Sequence, residues 1–167
     1  MWRIDKINGN EIEDSNLEIV VDVPELKIHG KTGCNIFNGD IGVIVQIDYE
    51  AELAVVIGRR AYNVSEAEAL EYVFGYTILN DVSARTIQNQ HKQWYRGKSL
   101  NGFTPMGPWI VTPDEFDVRR PWKIQSRVNG ELRQDSTTDL MIFHVPYVIA
   151  ELSQGMTLRP GTIISMG

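Results

Sequence analysis

Asp48-Tyr49-Glu50-Ala51-Glu52-Leu53-Ala54-Val55-Val56-Ile57-Gly58 is the stretch whose reading decides the architecture. Leu53, Val55, Val56 and Ile57 form a strand-prone, core-prone run. Side chains two apart on a strand share a face, so Glu50 and Glu52 project together if the segment is extended. Two carboxylates leading into so apolar a run are costly without a partner. A hard divalent cation is a natural partner for clustered oxygens. Spacing alone also fits two exposed glutamates on the wet face of an edge strand.

Working outward, Gly42 to Ile57 reads as one long strand or two joined ones. Asn8-Gly9, Asn38-Gly39 and Asn129-Gly130 are hairpin signals, because both residues of the pair accept positive φ. Arg3–Ile7 can pair with Glu11–Glu13, and Trp122–Val128 with Glu131–Asp135. Ser65-Glu66-Ala67-Glu68 has the form of a capping box. It predicts a helix with Leu70, Val73 and Phe74 on one face and Gly75 as its stop. A second short helix is expected from Pro146 through Leu152, ending by Gly155. The turn Leu158-Arg159-Pro160-Gly161 then leads to a strand at Thr162–Ser165. No repeat, linker or low-complexity stretch interrupts the chain. The expected class is α+β, strand-rich, with two or three short helices in one domain.

The 167 residues suffice for one sizeable core, and a hydrophobic share of 43% with 23% charged residues is ordinary for a globular chain. A formal net charge of -6 disfavours a general role on nucleic acid or membrane surfaces. Small anions remain accessible, since a metal and a few local cations can outweigh distant acids. Cys34 is the single cysteine, which fits a reducing compartment. Met1 to Asp5 lacks the apolar core of a signal peptide, and no apolar run is long enough to span a bilayer. A soluble cytoplasmic protein is the expectation.

Downstream of the paired glutamates, Gly75-Tyr76-Thr77-Ile78-Leu79-Asn80-Asp81-Val82-Ser83-Ala84-Arg85 adds a third acid, and Arg96-Gly97-Lys98-Ser99-Leu100 and Pro105-Met106-Gly107-Pro108-Trp109 follow. With Val128-Asn129-Gly130-Glu131 and Ser153-Gln154-Gly155-Met156-Thr157-Leu158 they form an ordered series. From Asp48 onward the chain resembles the fumarylacetoacetate hydrolase family. The resemblance implies a mixed β-sandwich roll that binds Mg²⁺, or Mn²⁺ or Ca²⁺ in its place. It implies action on small 2-keto acids, their enols or β-diketo acids by hydrolysis, isomerisation, tautomerisation or decarboxylation. Carried over by motif, Glu50, Glu52 and Asp81 are the metal ligands. Arg85 and Gln88 match substrate-orienting positions, and Lys98 matches the lysine beside the metal. A homodimer and a small anionic keto-acid substrate are implied as well.

Each assignment has a plainer alternative. Taken without the motif around it, Lys98 reads as a surface lysine; Arg85 reads equally as a structural ion pair and Gln88 as a helix-surface amide. His29 and His91 read as loop or rim residues, and His144 as a residue near a helix start. Trp94 and Tyr95 could wall a pocket, but core packing is the simpler reading, as it is for Trp109.

The sequence also departs from the family pattern. No His-x-x-Glu pair, the usual lid acid–base pair, precedes Glu50, and the stretch Lys27 to Phe37 holds only His29. Met166-Gly167 stops short of a Gly-Thr-Pro-rich loop. Thr86 and Asn101 stand where Asp is common. The expectation is a single catalytic domain over residues 1–167 that lacks the lid segment before Glu50 and the loop after Gly167. A fragment, or a sequence that omits mobile-loop residues at those two points, is the expectation that accounts for both departures. Without the lid pair, tautomerisation or decarboxylation is easier to support than hydrolysis, because neither must activate water. The alternatives are a metal-binding homologue without turnover, serving as a structural subunit, and an unrelated strand-rich binding module.

Overall fold

A computed structural model describes residues 18–23 and 47–167. Expectations for the Asn8-Gly9 hairpin, Asn38-Gly39, His29, Cys34, the stretch Lys27 to Phe37 and the start of the Gly42 strand lie outside these residues.

Nine strands run through the described residues. In chain order they are β1 (Glu18–Val23), β2 (Ile47–Asp48), β3 (Ala51–Ile57), β4 (Val73–Asn80), β5 (Ser83–Ala84), β6 (Met106–Val111), β7 (Lys123–Val128), β8 (Glu131–Thr137) and β9 (Ile163–Met166). Three short α-helices accompany them: α1 (Arg85–His91), α2 (Tyr95–Lys98) and α3 (Val145–Ser153). The larger sheet has the order β6-β4-β3-β9, the second β1-β7-β8, and β2 pairs with β5. The strand-rich α+β class is therefore as expected.

The long strand reads as two joined by a break at Tyr49 and Glu50. β3 lies inside the larger sheet, between β4 and β9, and every residue of it is buried. Its odd positions Leu53, Val55 and Ile57 join Tyr76, Phe116, Ile149, Ile164 and Met166 in the main core. Phe116 bridges Tyr76 and Trp122, with ring centroids 4.9 and 4.6 Å apart.

The Asn129-Gly130 hairpin joins β7 and β8, and both turn residues have positive φ, 53° and 82°. Helix α3 begins one residue before Pro146, with His144 as its N-cap residue. The capping-box helix is a correction. Ser65 Oγ does donate to Glu68 Oε2, but only a 3₁₀ turn over Ala69–Tyr72 follows. Val73 already pairs with Ile57, so the β-branched run enters the sheet before a helix can extend. Gly75 is not a helix stop either. A Cβ there would lie 2.6 Å from Val111 O, so glycine lets β6 close against β4.

No helix among the described residues is long and apolar enough to cross a membrane.

Candidate metal centre

The register of β3 against β4 builds the site. Ala51 stands opposite Asn80, so the residue before β3 meets the residue after β4. Asp81 N–H donates to Glu50 O at 2.8 Å, and Glu50 N–H donates to the buried Asn80 Oδ1 at 3.0 Å. The Asp81 carboxylate is thereby brought to the glutamate pair. One oxygen each from Glu50, Glu52 and Asp81 lies within 4.8 Å of the others. From the second sheet, Gln134 Oε1 accepts Ala51 N–H at 2.9 Å and fixes the start of β3.

Two cations flank Glu50. Arg85 Nη2 donates to Glu50 Oε1 at 2.6 Å, and Lys98 Nζ donates to Glu50 Oε2 at 2.6 Å. Ser83 Oγ donates the third bond to this carboxylate, the second to Oε2, at 3.0 Å. Lys98 also donates to Asp81 Oδ2, so one ammonium bridges two of the three acids. Burial alone would raise the Glu50 pKa, but the hydrogen bonds from Lys98, Arg85 and Ser83 outweigh it and the net shift is downward. Burial likewise works against the Lys98 charge, yet its bonds to Asp81 and Glu50 prevail and hold its pKa above the usual lysine value.

Arg85 is committed to the protein. Its Nε and Nη2 reach Asp48 Oδ2 at 3.0 and 2.7 Å, and Nη1 reaches Gln88 Oε1 at 3.0 Å. Bonds to Asp48 and Glu50 push its pKa up. Gln88 is itself buried. A Cβ on Gly97 would lie 2.9 Å from Gln88 Cβ, so glycine allows the α1–α2 crossing that carries Lys98 to the acids.

Glu52 differs. It is 9% exposed, and its one hydrogen-bond donor among the described residues is the Ser165 hydroxyl. Burial raises its pKa, the Ser165 bond opposes that, and the Asp81 and Glu50 charges raise it further. A cavity of about 360 Å³ opens beside Glu50 and Glu52, with Ile124, Gln134, Met141 and Ile142 among its walls.

Glu50, Glu52, Asp81, Lys98 and Arg85 therefore converge, and Gln88 touches the group through Arg85. Trp94, Tyr95 and Trp109 correct the expectation of core packing: they are 61%, 79% and 45% exposed. Asp48, Asn80, Ser83 and Ser165 were missed. The first three lie inside the quoted motifs, and Asp48 sits two residues before Glu50, which is a signal. Ser165 has none, because only the pairing of β9 with β3 brings it near.

The donor set suits a hard dication. All three candidate ligands offer carboxylate oxygens, with no sulfur or imidazole among them to favour a softer ion. Three negative charges meet there against a single bridging ammonium, since the charge of Arg85 is shared with Asp48.

The family model described as Fumarylacetoacetate (FAA) hydrolase C-terminal matches residues 20–167. The chain belongs to the fumarylacetoacetate hydrolase family. Among similar family members is an oxaloacetate tautomerase of Bacillus subtilis, 49% identical over 125 residues, which are 75% of this chain and 42% of that protein. A 4-hydroxyphenylacetate degradation bifunctional isomerase/decarboxylase of Salmonella dublin is 49% identical over 120 residues, 71% of this chain and 28% of that one. Among solved structures, a fumarylacetoacetate hydrolase from Exiguobacterium antarcticum matches with TM-score 0.71 and 51% identity, over 73% of this chain and 44% of the other. A 2-hydroxyhepta-2,4-diene-1,7-dioate isomerase from Mycobacterium marinum matches with TM-score 0.68 and 44% identity, over 71% and 46%. The chain thus spans less than half the length of each of these four family members.

Proposed function

We propose that this chain forms the metal site of a divalent-metal-dependent enzyme acting on a small 2-keto acid, its enol or a β-diketo acid. The observation that carries this reading is the meeting of Glu50, Glu52 and Asp81 with the Lys98 ammonium, drawn from three separate segments of the chain. Mg²⁺, Mn²⁺ or Ca²⁺ held by the three carboxylates would supply Lewis-acid polarisation of a chelating keto acid.

The rest falls to the chain's own groups. Lys98 remains an ammonium at neutral pH, so it serves as a donor and a positive charge beside the substrate's enol oxygen, not as a base. Arg85 orients Glu50, and Gln88 holds Arg85. Both act on substrate orientation through that carboxylate. The cavity beside the glutamates receives the substituent of the keto acid. The tautomerase and the isomerase/decarboxylase among the similar proteins favour enol–keto exchange, double-bond migration or decarboxylation. A homodimeric, cytoplasmic assembly is part of the same proposal.

Oxalate mimics a keto-acid chelate and provides the test. Calorimetry should show oxalate binding that requires Mg²⁺ and vanishes in Glu52→Ala. Binding that is indifferent to both sinks the site. Wild-type protein should then accelerate the enol–keto exchange or decarboxylation of oxaloacetate. Oxalate binding without any such turnover would leave the metal-binding homologue standing instead.

A further inference from the structure

The three acids are not equally secured, and the difference points to β9. Glu50 and Asp81 are held by cations from α1 and α2. Glu52 draws its hydrogen bond from the opposite side. β9 pairs antiparallel with β3, with Leu53 opposite Met166 and Ala54 opposite Ser165. One step further along this register Gly167 falls opposite Glu52, and Ser165 is its diagonal neighbour on the same face. Both contacts are present. Ser165 Oγ donates to Glu52 Oε2. A Cβ built on Gly167 would come within 2.8 Å of Glu52 Oε1. One oxygen is thus tethered by a hydroxyl, and the other occupies space that a side chain at residue 167 would claim.

We infer that Ser165 is a positioning residue for Glu52, and that Gly167 keeps the second Glu52 oxygen free to face the metal position. The inference rests on the proposed metal site. Its physical basis is the cost of leaving Glu52 unguided. This carboxylate is nearly buried, and the neighbouring Asp81 and Glu50 charges repel it. Without an anchor it would rotate away from its neighbours, and a bound dication would first have to draw it back. Partners of ligating side chains typically change metal affinity ~10–100-fold when removed. Ser165 otherwise faces solvent, so loss of its hydroxyl removes little packing. Any effect on metal binding then reports on Glu52.

The test titrates Mn²⁺ into wild type, Ser165→Ala, Ser165→Thr and Gly167→Ala. Binding is read by electron paramagnetic resonance, and the denaturation midpoint of each metal-free protein is read alongside. Ser165→Ala should bind Mn²⁺ ~10–100-fold more weakly, with a metal-free midpoint close to wild type. Ser165→Thr, which keeps the hydroxyl, should recover most of the affinity. Gly167→Ala should weaken binding with the serine intact. Wild-type affinity in Ser165→Ala would overturn the inference while leaving the metal site in place. So would a weakening that threonine does not relieve, or one that merely follows a fall in the metal-free midpoint. Absence of Mn²⁺ binding in wild type would overturn the metal site and this inference together.

Discussion

Burial acts on ionisable groups within the central strand pair and at one end of it, with opposite results. On the core side Tyr76 is 3% exposed and packs on Phe116. Burial, followed by the charge of Asp117, raises its pKa to about 12, against which Arg119 is a weaker influence. At the acid end Glu50 meets the same penalty, yet its pKa falls because three donors outweigh it. Glu52, two residues on, has one donor and two like-charged neighbours, and its pKa rises. Depth alone therefore does not decide which group ionises. The count and sign of the partners decide it.

The strongest way to break this comparison is Lys98→Met. If Lys98 is the charge that meets the substrate, kcat should fall ~10²–10³-fold, equivalent to about 3–4 kcal/mol. Steady-state kinetics with oxaloacetate would show it, and an unchanged kcat would assign Lys98 to ion pairing alone.

Next in size is an alkaline effect on the core side. The Tyr76 pKa is raised on folding, so the unfolded chain releases that proton first as pH climbs. Stability should therefore be intact below pH ~10 and decline toward pH ~12, by up to ~3 kcal/mol. Denaturant midpoints at pH 9 and 11 would measure the decline. Tyr76→Phe should flatten it.

The smallest effect sharpens the contrast within the acid pair. In metal-free protein Glu50→Gln should destabilise by ~1–2 kcal/mol, because Lys98 and Arg85 lose a charged acceptor. Glu52→Gln should stabilise by ~0.5–1 kcal/mol, because it removes a repelled, nearly buried charge. Chemical denaturation of the two variants at neutral pH gives the signs. Equal signs would show that the two surroundings are not opposed.

Local order was readable wherever the cause was local. The Asn129-Gly130 hairpin follows from two residues that tolerate positive φ, and α3 from a proline in its first turn. The acids and Lys98 were marked by motifs that stand close in sequence to the segments they join. The capping box misled because a side-chain bond at Ser65 nucleates a turn but does not compete with a strand already paired at Val73. Trp94, Tyr95 and Trp109 misled because aromatic character alone says nothing about what covers a ring. Ser165 was invisible, since its position depends on β9 finding the edge of β3 across 113 residues.

That separation has a consequence for biosynthesis. A ribosome releases Glu52 long before Ser165, so the nascent chain holds this carboxylate untethered while most of the sheet is still being made. β9 is then the clasp that closes the acid cluster, and an ion met earlier in translation would be held more weakly than in the finished sheet.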